Sequence, residues 1–374
     1  MDIVNACRAV LEPQGMSEKD VKKIERSAFD TLNVEAVKMK NEKHFSAEQF
    51  VENLLNEGSK VPCDETSDAF NNNLKLPPYY DEQLFKKGQE FFYRNIFGLF
   101  LSKFLGLIAL LTLPSSVNIL VMTNMSSTEM SAYKRYMATI FHMCLWYDEK
   151  FRPGSRSWDS IGTVRGLHNS ASKRSCACLK YRITQKDMAL TQFGFMGFGL
   201  VRSRMMGVHC ASEEELKGFI HLWRTVGHVL GIEERFNICR ESVAETKEIC
   251  NLLIEKVFRP RLKSPSKHFK KMSSALINGL WTMNPILEFK VFTLYLQMAL
   301  EDNSNVHSQP GFNLLTWQKK FKLYFILYTL WSLQFNVLRI THNYIQIIAL
   351  WLMKCFPFLA YYKYGKANSL VKVK

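Results

Sequence analysis

Two short stretches of this chain place reactive side chains at helical spacing. Val164-Arg165-Gly166-Leu167-His168 sets an arginine and a histidine at i and i+3, and Arg135-Tyr136-Met137-Ala138-Thr139 sets an arginine and a threonine at i and i+4. On helices, each pair shares one face. Two such helices facing each other supply a basic ligand to one side of a planar cofactor and polar groups to the other. His168 is the sharpest candidate, because imidazole is the commonest protein ligand for haem iron and one helix-borne histidine suffices for five-coordination. Arg165, one turn earlier, has the fork geometry to pair with a haem propionate. Opposite them Arg135, Thr139 and His142 fall at i, i+4 and i+7, the hydroxyl and cationic groups that orient bound dioxygen and stabilise developing charge. Each residue also has a bland reading. A single helical histidine is usually an ordinary core or surface residue, and the polar stripe also suits a solvent-facing helix. His142 reads better as a hydrogen-bonded core histidine than as a second ligand.

The elements that must position these residues are helices. Tyr133, Tyr136, Phe141 and Trp146 predict that the helix carrying Arg135 is largely buried, and Ser126-Ser127-Thr128-Glu129 reads as its capping box. Arg152-Pro153-Gly154-Ser155 is a turn before the helix of His168. Ile183-Thr184-Gln185-Lys186-Asp187 caps a long helix, and Ser212-Glu213-Glu214-Glu215 opens another that ends near Gly231. The glycines of Gly194-Phe195-Met196-Gly197-Phe198-Gly199 sit in a helical pattern, where they permit close helix or cofactor approach rather than cradle phosphate. Ile96 to Leu113, interrupted by Lys103 and ended by Pro114, reads as a buried hairpin rather than a membrane span. No period-2 strand runs appear, so the expected fold is mainly α, one large helical domain enclosing a haem-sized pocket, with hydrophobic C-terminal helices.

Composition narrows the function classes. With 49 Lys and Arg against 34 Asp and Glu, the net charge is +15, which calls for a polyanionic partner. A membrane surface fits better than nucleic acid, since no zinc finger, RNA-recognition motif or basic zipper is present. There is no HExxH, G-x-S-x-G or Walker loop. The 9 cysteines are odd in number and lack framework spacing, so they read as reduced thiols on the cytosolic side of a membrane. The 27 phenylalanines fill wide inter-helix space or line a pocket for a large apolar ligand. Met1 to Pro13 lacks the apolar core of a signal peptide.

Residues 1–75 read as a polar, helical N-terminal region. Residues 76–260 form the expected catalytic domain, and residues 261–374 a basic linker with hydrophobic helices attached to a membrane. Lys256 to Lys271 holds seven lysines and arginines with no acid. Each apolar segment beyond it is short or interrupted for a span.

Five blocks in order carry a family resemblance: Tyr80-Asp81-Glu82-Gln83-Leu84-Phe85, Tyr133 to Thr139, Thr163 to His168, Gln185-Lys186-Asp187-Met188-Ala189-Leu190-Thr191, and Leu222-Trp223-Arg224-Thr225-Val226-Gly227-His228-Val229-Leu230-Gly231-Ile232. Over roughly residues 76–260 the chain resembles the rubber oxygenases, or latex clearing proteins, which share their catalytic domain with the ER-bound oxygenases of fungal mycophenolic acid biosynthesis. The resemblance implies a helical fold enclosing haem b, with His168 as proximal iron ligand, Arg165 beside it, and Arg135 and Thr139 on the distal side. The chain departs from that pattern at Ala138, where the family carries a lysine, and at Ser172, where rubber oxygenases tend to carry an arginine, although Lys173 and Arg174 follow. The implied activity is haem-dependent oxygenation of a lipophilic, prenyl-like or unsaturated substrate by dioxygen at the cytosolic face of the endoplasmic reticulum. Polyisoprene is not the expected substrate. A non-catalytic haem- or lipid-binding membrane protein is the alternative.

Overall fold

In the computed structural model, which describes residues 45–64 and 74–373, three pairs of helices cross so tightly that only glycine fits between them. The helices run in order α1 (Ala47–Asn56), α2 (Glu82–Arg94), α3 (Ile96–Leu110), α4 (Pro114–Thr123), α5 (Glu129–Asp148), α6 (Arg156–Leu179), α7 (Gln185–Val201) and α8 (Glu213–Val229). They continue through α9 (Val243–Leu253), a π-helical turn (Ile254–Phe258), α10 (Arg259–Lys263), α11 (Phe269–Leu280) and α12 (Phe289–Glu301). The last four are α13 (Trp317–Ser332), α14 (Asn336–Cys355), α15 (Phe358–Tyr364) and α16 (Lys366–Ser369). Among the described residues there is no β-strand, so the fold is mainly α. Residues 1–44 and 65–73 of the expected N-terminal region lie outside the described residues.

At the α3–α7 crossing a Cβ on Gly106 would stand 1.9 Å from the Gly194 carbonyl oxygen, and one on Gly194 would stand 2.6 Å from Leu110. A Cβ on Gly88 of α2 would stand 2.4 Å from the Gly218 carbonyl oxygen of α8, and one on Gly279 of α11 would stand 2.9 Å from the Glu129 carbonyl oxygen and the Tyr133 nitrogen of α5. The glycines of α7 therefore serve helix approach. Because the obstacle at Gly106 is backbone, no rotamer change relieves it. Gly106→Ala is expected to cost about 3 kcal/mol or more, read as a lowered urea midpoint, whereas an unchanged midpoint would mean the two helices separate freely.

α2 and α3 meet at a sharp corner of 93° at Asn95, and most of α3 is buried, as expected of a hairpin rather than a span. Pro114 begins α4 at its first turn, where its missing N–H costs nothing. The capping box of α5 is Thr128 with Ser131, two residues beyond the Ser126 start read from the sequence. Thr184 with Asp187 and Ser212 with Glu215 cap α7 and α8 as expected. Most of the basic run Lys256–Lys271 is helical, in the π turn, α10 and the start of α11.

One buried amine lies at the meeting point of four helices. Lys103 Nζ of α3 is 4.9 Å from the ring centroid of Phe92 on α2, 5.4 Å from Tyr147 on α5, and 5.6 and 5.8 Å from Phe219 and Trp223 on α8. It has no hydrogen-bond partner among the described residues. Trp223 Nε1 donates to Tyr147 Oη at 2.9 Å, which closes that box of rings.

Candidate active site

α5 and α6 form an antiparallel hairpin, joined through a turn in which Gly154 adopts φ +82°. Two rungs connect them. On the first, His142 Nδ1 and Ser160 Oγ are 2.8 Å apart, and Trp146 Nε1 donates to the same hydroxyl at 3.1 Å. His142 is the hydrogen-bonded core histidine read from the sequence, and burial lowers its pKa.

On the second rung the charge of Arg135 on α5 acts on His168 of α6. His168 has one edge at the surface, but its Nδ1 is enclosed and has no hydrogen-bond partner among the described residues. Burial, with a smaller push from the nearby Arg135 charge, brings its pKa down to about 4, so the ring is neutral at neutral pH. Neutral imidazole is the form that ligates iron. Burial also lowers the pKa of Arg135. The Arg135 charge thus adds to burial in keeping His168 neutral.

The other expected site residues take different places. Arg165 is buried, and its Nη1 donates to the Val229 carbonyl at 3.0 Å, where α8 ends. A Cβ on Gly231, which adopts φ +101°, would touch the guanidinium at 3.6 Å. Arg165 thus pins α6 to the end of α8, through a partner 64 residues away that no local signal announces. Thr139 is exposed, and its hydroxyl donates back to the Arg135 carbonyl at 3.1 Å. Ala138 beside it is half-buried. Ser172 is fully buried. Its hydroxyl donates to Asp64 Oδ1 at 3.0 Å and accepts from the Ile183 N–H at 3.1 Å, which ties α6 to the segment before α7.

A search of the described residues finds no three His, Cys, Asp or Glu side chains gathered as metal ligands. A surface cleft of about 120 Å³ lies between α10 and α12, lined by Arg259, Leu262, Lys263, Gln297, Leu300 and Glu301. It is smaller than the roughly 300 Å³ at which small-molecule pockets begin, and none of its lining comes from α5 or α6. The haem-sized pocket expected from the sequence is not this cleft. What fits haem is the donor chemistry of His168, whose ring nitrogen is enclosed and unclaimed.

The profile of one protein family, described as "ER-bound oxygenase mpaB/B'/Rubber oxygenase, catalytic domain", matches residues 94–300. The chain belongs to this family. Comparison with curated proteins and with solved structures finds no match. The matched region runs from the last residue of α2 almost to the end of α12, so it contains both rungs of the α5–α6 hairpin and Lys103 with all of its ring neighbours except Phe92. It makes the body of the protein an oxygenase-family domain and points to an oxidoreductase. The family description includes ER-bound proteins. Among the described residues no single helix is long and apolar enough to cross a membrane, although two bent pairs, α2 with α3 and α14 with α15, pass that test together.

The family-like blocks are also where the oxygenase domain is laced together. Gln185 Nε2 donates to the Gly231 carbonyl at 3.0 Å and its Oε1 accepts from the Glu233 N–H at 2.9 Å. Gln192 Nε2 donates to the Trp223 carbonyl at 2.8 Å and to Asn237 Oδ1 at 2.9 Å. The Gln185 bonds hold α7 against the end of α8, the same end that receives Arg165, and the Gln192 bonds tie it to the middle of α8 and to the loop beyond.

Proposed function

We propose that this protein is a haem b-dependent oxygenase that acts with dioxygen on a lipophilic, prenyl-like or unsaturated substrate. The observation that carries this reading is the second rung: a neutral imidazole whose Nδ1 is enclosed and unclaimed, within reach of the charge of half-buried Arg135, inside an oxygenase-family domain. Haem, when bound, supplies an iron that takes up and activates dioxygen. His168 would hold the iron. Arg135 places a fixed positive charge in a dry setting, where it acts strongly on negative charge that develops near it. Arg165 does not touch the group in this account; it fixes the register of α6, and so the direction of His168. The protein works at the cytosolic face of the endoplasmic reticulum, a placement supported by the family description and the excess of cations.

One specific observation favours a second reading, a haem- or lipid-binding protein without catalysis. Ala138 offers a methyl where the family carries a lysine, and the Thr139 hydroxyl is already engaged at the surface. An absorption spectrum of the purified protein, supplied with haemin, separates the cases. A Soret band together with dioxygen uptake on a prenylated lipid is the expected result. A Soret band without uptake supports the second reading, and a folded protein that binds no haem removes both haem readings.

A further inference from the structure

Exposed large apolar side chains are concentrated in the last quarter of the chain. On α13, Trp317, Phe321, Phe325, Tyr328, Trp331 and Phe335 just beyond it follow one another at steps of three or four residues, each 44–75% exposed. That spacing makes a single stripe along one face of the helix. The opposite face of α13, with Leu323, Ile326 and Leu330, is buried. α14 repeats the division: Leu350 and Met353 face inward, while Tyr344, Ile348 and Trp351 are 53–62% exposed.

From Asn303 to Lys374 there is no aspartate or glutamate, against nine lysines and arginines. Lys319 and Lys363 pair with Glu288 and Glu129, each at 2.7 Å. The remaining cations of this stretch make no ion pair among the described residues.

We propose that the outer face of α13 and α14 docks in-plane into a single leaflet of an anionic bilayer. This deepens the membrane placement proposed above by naming the surface and the lipid chemistry. Tryptophan and tyrosine on a helix, with cations beside them, is the composition of an interfacial helix. Unpaired cations with no acid suit anionic headgroups and disfavour a second copy of the same face. Neither helix is by itself long and apolar enough to cross a bilayer. α13 is only 16 residues long and is held by its inner face. α14 is fastened by Asn343, whose Nδ2 donates to the Arg94 carbonyl at 2.8 Å and whose Oδ1 accepts from the Phe97 N–H at 3.1 Å.

The test uses the full chain and co-sedimentation with two vesicle types, phosphatidylcholine alone and phosphatidylcholine with about a third phosphatidylserine. The wild type is expected to sediment with the anionic vesicles, at least about tenfold more strongly than with the neutral ones, and to be weakened by salt. The triple variant Trp317→Ser, Phe321→Ser, Trp331→Ser is expected to lose at least about tenfold in binding, since these side chains support no core. In wild type bound to vesicles, bromines high on the acyl chains should quench tryptophan fluorescence more than bromines near the midplane. This arm does not depend on any variant folding. Failure of the wild type to sediment, equal binding by the triple variant, or strongest quenching at the midplane overturns the proposal. So does a concentration-dependent dimer broken by the variant without vesicle binding, which assigns the face to a second copy. His168→Ala is expected to bind vesicles as wild type does, so loss of haem binding and loss of membrane docking are read separately.

Discussion

His168→Ala is expected to abolish the Soret band and to lower oxygenase activity on the order of a hundredfold or more, while leaving the apo fold intact. The second half of that expectation follows from the ring itself. Nδ1 makes no hydrogen bond and one edge is already at the surface, so the apo protein should lose about 1 kcal/mol or less. His168→Gly, supplied with free imidazole, should regain part of the band, because a small ligand can enter the space the side chain leaves. Arg165→Ala makes the contrast. It removes a buried bond from Nη1 to the Val229 carbonyl and should cost about 3 kcal/mol, whether or not haem is present. Spectra and urea melts of the two variants check both arms. A His168→Ala protein that keeps its full Soret band would assign the iron to another residue and remove the proposed mechanism.

Lys103→Met is expected to raise stability at neutral pH and to remove much of its rise on going alkaline. Burial brings the Lys103 amine down to about 7 from its usual 10.5, with the nearby Cys144 acting weakly the other way. Between about pH 7 and 10.5 the unfolded chain therefore holds a proton that the native state lacks. Unfolding takes up that proton, so stability rises with pH across this window, by up to about 1.4 kcal/mol per pH unit. Below about pH 7 both states are charged, and the native state carries the full penalty, on the order of 5 kcal/mol, for an ammonium whose only partners are four ring faces. Methionine fills similar volume and holds no charge. Urea melts of both proteins from pH 7 to pH 10 give the difference, in which other titrating groups cancel. Parallel curves would show that the amine stays protonated in the aromatic box.

The helices were legible because their signals are local. The Thr184–Asp187 and Ser212–Glu215 caps, the turn at Gly154 and the burial of α5 all depend on residues within a few positions of one another. The opposition of α5 and α6 was legible too, since a short turn between two helices leaves an antiparallel hairpin as the simple outcome. The role of Arg165 was not, because its partner carbonyl comes from a distant helix end. Lys103 read as a break in an apolar segment for the same reason: the rings around it come from α2, α5 and α8. Thr139 shares a helical face with Arg135 by spacing, yet an exposed edge and a deep centre of one face look alike in a sequence. For the C-terminal segments, hydropathy averages over the helix circumference, and it therefore hides an inner face resting on protein and an outer face of aromatic rings.

Asn343 gives the C-terminal helices a meaning beyond attachment. Its amide bridges the carbonyl that ends α2 and an N–H that begins α3, the corner where two core helices turn by 93° and where neither backbone group has a helical partner of its own. The tail is thus a clasp on the centre of the oxygenase domain. Shortening the chain before α14 would unfasten that corner, and a truncated protein would report on a loosened core rather than on a free and otherwise unchanged catalytic body.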